Sequence, residues 1–180
     1  MATYIALLRA VNLGGATQIA MGALREECER LGFERVRSIL QSGNLVFDSS
    51  LRDPARIERI LEAGVAKDLR CTTEFFVRSA SEWRALVAAN PFPKEAVSDP
   101  GHLLVTVLKD PATPAGWTEL ARAIVGRERV VGSARHGYLY YPDGVGRSKV
   151  TALFIERYVG VRGTSRNWNT VGKLAALAGG

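Results

Sequence analysis

The stretch Arg35-Val36-Arg37-Ser38-Ile39-Leu40-Gln41-Ser42-Gly43-Asn44-Leu45-Val46-Phe47-Asp48 decides the fold. Residues 35–40 and 44–48 are two strand-forming runs, and Gln41-Ser42-Gly43 between them has the composition of a tight turn. The spacing predicts a β-hairpin. Upstream, Met21, Leu24, Cys28 and Leu31 recur at helical spacing, with Gly32 placed to end the helix. Before that helix, Thr3–Arg9 is an apolar run that reads as a strand, followed by the loop of residues 10–17. Downstream, Asp53-Pro54 supplies a cap and a first-turn proline for a helix carrying Ile57, Ile60, Leu61 and Val65. Thr72–Arg78 is a further strand. The order β-α-β-β-α-β is the ferredoxin-like pattern, in which both helices cover one face of an antiparallel sheet.

The same order returns in the second half. His102–Leu108 reads as a strand. Thr113-Pro114 opens a helix with Trp117, Leu120 and Ile124, closed by Gly126. Arg129–Gly132 and Tyr138–Tyr141 are strands around Arg135-His136-Gly137. Ser148 reads as the cap of a helix carrying Val150, Leu153, Phe154 and Tyr158, ended by Gly160. Thr164 or Ser165 reads as the cap of a last helix with Trp168, Val171 and Leu174. Gly32, Gly43 and Pro54 match Gly126, Gly137 and Ser148 at one offset of 94 residues, the mark of an internal duplication. The expected fold is α+β: two tandem ferredoxin-like (βαββαβ-type) halves with antiparallel sheets, plus a C-terminal helix. The expected divisions are 1–78 for the first half and 79–101 for a connecting helix and Pro-containing linker. Residues 102–180 form the second half, read as βαββα with a helix in place of the final strand. Ser79 and Glu82 form a capping box at the start of the connecting helix.

Composition narrows the class. Of the 180 residues 47% are hydrophobic and 23% charged, which excludes disordered, collagenous and low-complexity chains. No apolar run is long enough to span a bilayer, and the start of the chain has no basic leader, so a cytoplasmic protein without a membrane partner is expected. Two cysteines, Cys28 and Cys71, are too few for a disulfide framework. The net charge of +6 is concentrated: from Gly144 onward there are six cations and one anion, Glu156. A basic segment on a nearly neutral body suits an anionic partner. Arg outnumbers Lys 19 to 5, so genome composition bias is an alternative source of this charge.

Four loops carry candidate chemistry. Arg9-Ala10-Val11-Asn12-Leu13-Gly14-Gly15 joins a strand to a helix, and its glycines let backbone amides approach an anion. Gln41-Ser42-Gly43-Asn44 places polar side chains on the hairpin, although turns favour the same residues. Pro142-Asp143-Gly144-Val145-Gly146-Arg147-Ser148-Lys149 sets two cations at a predicted helix start, where the dipole disfavours them unless an anion binds. Thr164-Ser165-Arg166-Asn167-Trp168-Asn169-Thr170 again sets an arginine at a predicted helix start. No named nucleotide motif, metal-ligand spacing, serine elbow or cofactor motif is present, so no metal or cofactor is expected.

Arg9 to Gly15, Gln41 to Phe47, Asn90-Pro91-Phe92, Tyr141 to Gly144 with Gly146 to Lys149, and Thr164 to Trp168 with Thr170 together resemble the bacterial domain-of-unknown-function family 1697. The resemblance runs in order along essentially the whole chain. It implies a small cytosolic α+β protein of two ferredoxin-like halves and brings no activity, cofactor or substrate. At the first motif the family usually reads Arg-Gly-Ile-Asn-Val-Gly-Gly, so Ala10 replaces a glycine. Residues 16–19 lack the lysine common before the family's first helix.

These readings converge on a phosphate-bearing ligand, a nucleotide or nucleic acid, held in a pocket between the two halves. The candidate ligand-binding residues are Arg9, Asn12, Gly14, Gly15, Gln41, Ser42, Asn44, Arg147, Ser148, Lys149, Arg166 and Asn167. Two alternatives stand beside it: a metal-free group-transfer enzyme using Arg, Asn and Ser donors, and a structural or protein-interaction module. No nucleophile–base pair is visible, so no catalytic residue is assigned.

Overall fold

The computed structural model describes residues 1–9, 19–40 and 43–179. It divides into two compact units, Met1–Val87 with Lys173–Gly180, and Ala88–Gly172.

The first unit begins with β1 (Ala2–Leu8), α1 (Met21–Arg30), β2 (Glu34–Ile39) and β3 (Asn44–Ser49). It continues through α2 (Pro54–Asp68), β4 (Phe75–Ser79) and α3 (Ala80–Ala88). Its antiparallel sheet has the order β2-β3-β1-β4, which places the first strand in the middle. Tyr4, Ala6, Leu45, Phe47, Phe75 and Val77 turn one face of the sheet toward Leu24 and Cys28 of α1 and Ile57, Leu61 and Val65 of α2. Each large apolar side chain buried in this way contributes about 1.5–3 kcal/mol. Ile5, Leu7, Val46 and Phe76 point the other way and are also buried. Burial on both faces explains why β1 and β3 read as continuous apolar runs rather than alternating ones. The helix signals work as expected. Asp53 accepts from the Ala55 amide at 3.0 Å, and the Ser79–Glu82 box closes reciprocally. Burial pushes the Cys28 thiol up to about 12, so it stays a neutral core group.

The second unit holds α4 (Pro93–Ser98), β5 (Leu103–Leu108), α5 (Pro114–Ala123), β6 (Arg129–Gly132) and β7 (His136–Tyr140). α6 (Ala152–Val159) and β8 (Gly163–Asn167) follow, then α7 (Trp168–Leu177), which crosses the boundary between the units at residue 172. The sheet order β6-β7-β5-β8 repeats that of the first unit. Even single hydrogen bonds recur: Leu8 N–H donates to Gly43 O, and Leu108 N–H donates to Arg135 O. The indole of Trp117 lies over Gly132 and Gly137, a cross-strand pair of β6 and β7. A Cβ on either glycine would stand 2.0–2.2 Å from an indole carbon. The Trp117 Nε1–H donates to Ser133 O at 2.8 Å.

Three local expectations are corrected. First, the second half is not missing its final strand: residues 163–167 form β8, antiparallel to β5. Gly-Thr-Ser-Arg-Asn has no apolar run to announce a strand, and pairing with buried β5 overrides its weak propensity. The cap of α7 is therefore Asn167, whose Oδ1 accepts from Thr170 N–H at 3.0 Å, not Thr164 or Ser165. Strand, cap and helix repeat those of β4 and α3. Second, α6 is capped by Thr151, which accepts from Phe154 N–H at 3.2 Å, not by Ser148. Residues 145–147 form a single 3-10 turn instead. Third, no single offset relates the halves. It falls from 100 residues at the first strand (Ile5 to Val105) to 88 at the fourth (Arg78 to Arg166), because the connecting loops differ in length. His136 and Gly137 lie in β7 rather than in the hairpin turn.

Candidate functional site

Asn12, Gly14, Gly15, Gln41 and Ser42 lie outside the described residues. The remaining candidates separate into three places. Arg9 and Asn44 belong to the first unit, at the end of β1. The Arg9 guanidinium is 3.4 Å from Glu74, and its carbonyl accepts from the Thr73 hydroxyl at 2.7 Å. Asn44 is buried, and its amide donates to Ile39 O at 3.1 Å, closing the base of the hairpin.

Arg166 and Asn167 lie on β8. Alternation along the strand sends them to opposite faces of the sheet. Arg166 pairs across from Val105 on the face away from Leu104 and Leu139, and its guanidinium donates to Thr164 Oγ1 and Ser165 O, both at 2.9 Å. Burial lowers its pKa to about 10, so it remains charged at neutral pH. Asn167 is the α7 cap already described.

Arg147, Ser148 and Lys149 come together on the wall of one cavity of 370 Å³. They stand in the 3-10 turn and the two residues after it, ahead of α6. The expected clash with the helix dipole is therefore absent, because both cations precede the true first turn. Three internal hydrogen bonds fix the turn: Arg147 N–H to Gly144 O (3.3 Å), Ser148 N–H to Val145 O (3.1 Å) and Thr151 N–H to Lys149 O (2.9 Å). Gly144 holds φ +85°, a conformation that suits glycine. The Tyr141 hydroxyl donates to Val150 O at 3.0 Å and anchors the segment from below.

Within this cavity the roles divide. The Ser148 hydroxyl donates to Glu128 Oε1 and accepts from Val150 N–H at 3.0 Å, so Ser148 is a positioning residue rather than a ligand donor. Arg127 forms a two-point ion pair with Asp143. The Arg127 guanidinium holds the Asp143 carboxyl below the usual carboxylate range, with a smaller contribution from Arg147. Among the described residues, Arg147 and Lys149 make no side-chain hydrogen bond or ion pair, and both are exposed. The lining carries three cations (Arg127, Arg147, Lys149) and two carboxylates (Glu128, Asp143). Ile124, Val125 and Phe154 add an apolar wall. Arg166 and Asn167 are not part of this lining.

Sequence reasoning missed Arg127 and Glu128. The only signal was their place directly after Gly126, at the predicted end of α5. Arg127 reaches Asp143 across 16 residues, and Ser148 reaches Glu128 across 20. It also missed a polar array elsewhere in the second unit. Asp99 Oδ2 meets His102 Nδ1 and the Tyr140 hydroxyl at 3.0 Å each, and Arg129 stands over the rings of Phe92 and Tyr140 while pairing with Glu95. A groove of 600 Å³ in the first unit, lined by Arg25, Arg37, Glu26 and Glu29 among others, is larger. It contains no candidate residue, and its charges balance, so the smaller cavity is the better candidate. Among the described residues no group of three or more His, Cys, Asp or Glu is placed to hold a metal ion, and no helix is long and apolar enough to cross a membrane.

Fold and repeat together define a duplicated α+β protein of two ferredoxin-like halves. Residues 1–138 match the family described as protein of unknown function (DUF1697), and the chain belongs to that family. Among solved structures it is similar to the conserved bacterial protein SP0830 from Streptococcus pneumoniae. The match covers 98% of each chain, with 21% identity and a TM-score of 0.74, a likeness of fold. A putative chlorite dismutase, TA0507, aligns over 99% of this chain and 100% of its own at 14% identity. Its TM-score of 0.24 is too low for a shared fold. No curated protein matches the chain.

Proposed function

We propose that this protein binds a phosphate-bearing small molecule in the cavity of the second unit, with Arg147 and Lys149 as the phosphate ligands. One observation carries the reading: two cations without side-chain partners flank a pinned Ser148 on the wall of a cavity of 370 Å³. That volume is within the usual range of small-ligand sites. Isolated cations on a mobile segment are ordinarily just solvated. Here the backbone between them is fixed by the turn and by Tyr141, so the ordering that opposes binding is confined to the two side chains. Arg127, already committed to Asp143, lines the same cavity.

Titration calorimetry at low salt tests this with inorganic phosphate and a nucleoside monophosphate, on the full chain and on the variants Arg147→Ala and Lys149→Ala. Each variant is expected to weaken binding about tenfold, the loss of one charge-assisted contact. Affinity is also expected to fall as salt rises. Unchanged affinity in both variants, at equal folded fraction, refutes the assignment.

A further inference from the structure

Ile124, Val125 and Phe154 line the same cavity as Arg147 and Lys149. Ile124 and Phe154 pack against the core of the second unit and are half-buried. Val125 is 98% exposed, so its side chain is open to a ligand. A phosphate ion gains nothing from such a wall. The other polar side chains of the lining are already spent. Arg127 and Asp143 hold each other at two points. Ser148 donates to Glu128 Oε1 and accepts from Val150 N–H. Glu128 Oε2 is buried and would stand 2.1 Å from a Cβ at position 126, so it is packed against Gly126 and not offered to the cavity. Backbone groups of the wall are spent as well. The Ile124 and Phe154 amides donate to Leu120 O and Thr151 Oγ1, and Val150 O accepts from the Tyr141 hydroxyl. What the cavity still offers is two cations and an apolar surface. A nucleoside or a sugar would bring hydroxyls, ring nitrogens or amines to that surface with no side chain to pair them, and each desolvated polar group left unpaired weakens binding. A hydrocarbon chain loses nothing there and gains in proportion to the area it covers.

We infer that the ligand is a soluble aliphatic phosphate monoester. The phosphate meets Arg147 and Lys149, and the hydrocarbon chain covers Ile124, Val125 and Phe154. This rests on the phosphate-binding reading above and names the class of molecule that carries the phosphate. The apolar wall then sets specificity: it rewards methylene groups and disfavours a polar substituent on the phosphate.

Titration calorimetry on the full chain tests this with inorganic phosphate, methyl, butyl and hexyl phosphate, and adenosine 5′-monophosphate. Affinity is expected to rise about two- to fourfold per methylene, the upper figure for full burial, so hexyl phosphate should bind about thirtyfold or more tightly than methyl phosphate. Adenosine 5′-monophosphate is expected to bind more weakly than hexyl phosphate. Val125→Asn puts a polar amide on the wall at an exposed position on which the fold does not depend. It is expected to cut the ratio of hexyl to methyl affinity about threefold or more, a ratio that a change in phosphate binding alone leaves in place. Equal affinity along the ester series, with phosphate still bound, overturns the inference and leaves phosphate binding standing. An adenine nucleotide that binds more tightly than hexyl phosphate overturns it too, as does an unchanged ratio in Val125→Asn. Binding to phosphatidylcholine vesicles that carry phosphatidic acid, without binding of the soluble esters, also overturns it, because the chain is then held by a bilayer and not by the cavity. No binding of any probe overturns both readings.

Discussion

Ser148 is the residue on which the candidate cavity depends, and replacing it with alanine tests that dependence. Its hydroxyl gives Glu128 a hydrogen-bond donor and receives the amide of Val150, whose side chain is buried. Loss of a hydrogen bond to a charged group costs about 1.5–3 kcal/mol, and loss of an acceptor for a neutral amide about 1 kcal/mol. Because Glu128 is only half-buried, water repairs part of the first loss, and Ser148→Ala is expected to destabilise by about 2 kcal/mol. The two contributions separate in a double-mutant cycle. With Glu128→Ala already present, only the amide part remains, so Ser148→Ala should then cost about 1 kcal/mol, a coupling of about 1 kcal/mol. Urea unfolding followed by tryptophan fluorescence measures all four proteins, with the denaturant slope expected to stay constant. Costs that add to within about 0.5 kcal/mol would refute the claim that Ser148 holds Glu128 in place.

Gly137→Ala should destabilise by about 2–3 kcal/mol, because its Cβ would stand 2.2 Å from Trp117 and the indole must move, taking its hydrogen bond to Ser133 with it; unchanged stability and unchanged tryptophan emission would contradict the slot. The protein should also lose stability in alkali: burial pushes the Tyr138 hydroxyl up to about 12 and raises Tyr141 as well. A folded-state pKa above the unfolded value of 10 means the neutral phenol stabilises the fold fully below pH 10, and that stability drains away as pH rises toward 12. Absorbance at the tyrosinate band should show Tyr138 and Tyr141 ionising late, together with unfolding, with Tyr4 and Tyr140 also held above their ordinary value; ionisation of all tyrosines near their ordinary value in the folded protein would rule this out.

The parts of the fold that were legible are those with local chemical signatures. Asp53-Pro54, Thr113-Pro114 and the Ser79–Glu82 box mark helix starts where the structure has them, because a cap acts over one turn and needs no distant partner. β8 was invisible because its strand character comes from β5 beside it, not from Gly-Thr-Ser-Arg-Asn itself. Gly163 illustrates the point: a Cβ there would lie 2.8 Å from Thr106, a constraint set by a residue 57 positions earlier. The start of α6 was misplaced because Ser148 and Thr151 are both good caps, and only the 3-10 turn decides between them. The candidate site was half legible. Excess charge pointed to Arg147 and Lys149, but Glu128 and Arg127 join them only through tertiary folding. Arg166 shared the same charge signal and went to another face, because strand alternation decides its direction.

The sheet order has a consequence for how the chain is made. In each half the earliest strand becomes the central one, so a growing chain exposes Tyr4-Ile5-Ala6-Leu7 on both edges until β3 emerges. Its second edge stays open until β4 is made, some 67 residues after Leu8. At about 5–20 residues per second that is roughly 3–13 s of unpaired apolar strand. The second half repeats the interval with β5 waiting for β8. Since the stretch from Lys173 belongs with the first unit, and Leu177 lines the groove beside α1 and β2, the piece translated first is completed last. Nascent chains of this protein should therefore expose an apolar strand edge until β4 is made, and a fragment ending at Asp68 should be more prone to aggregate than one ending at Val87.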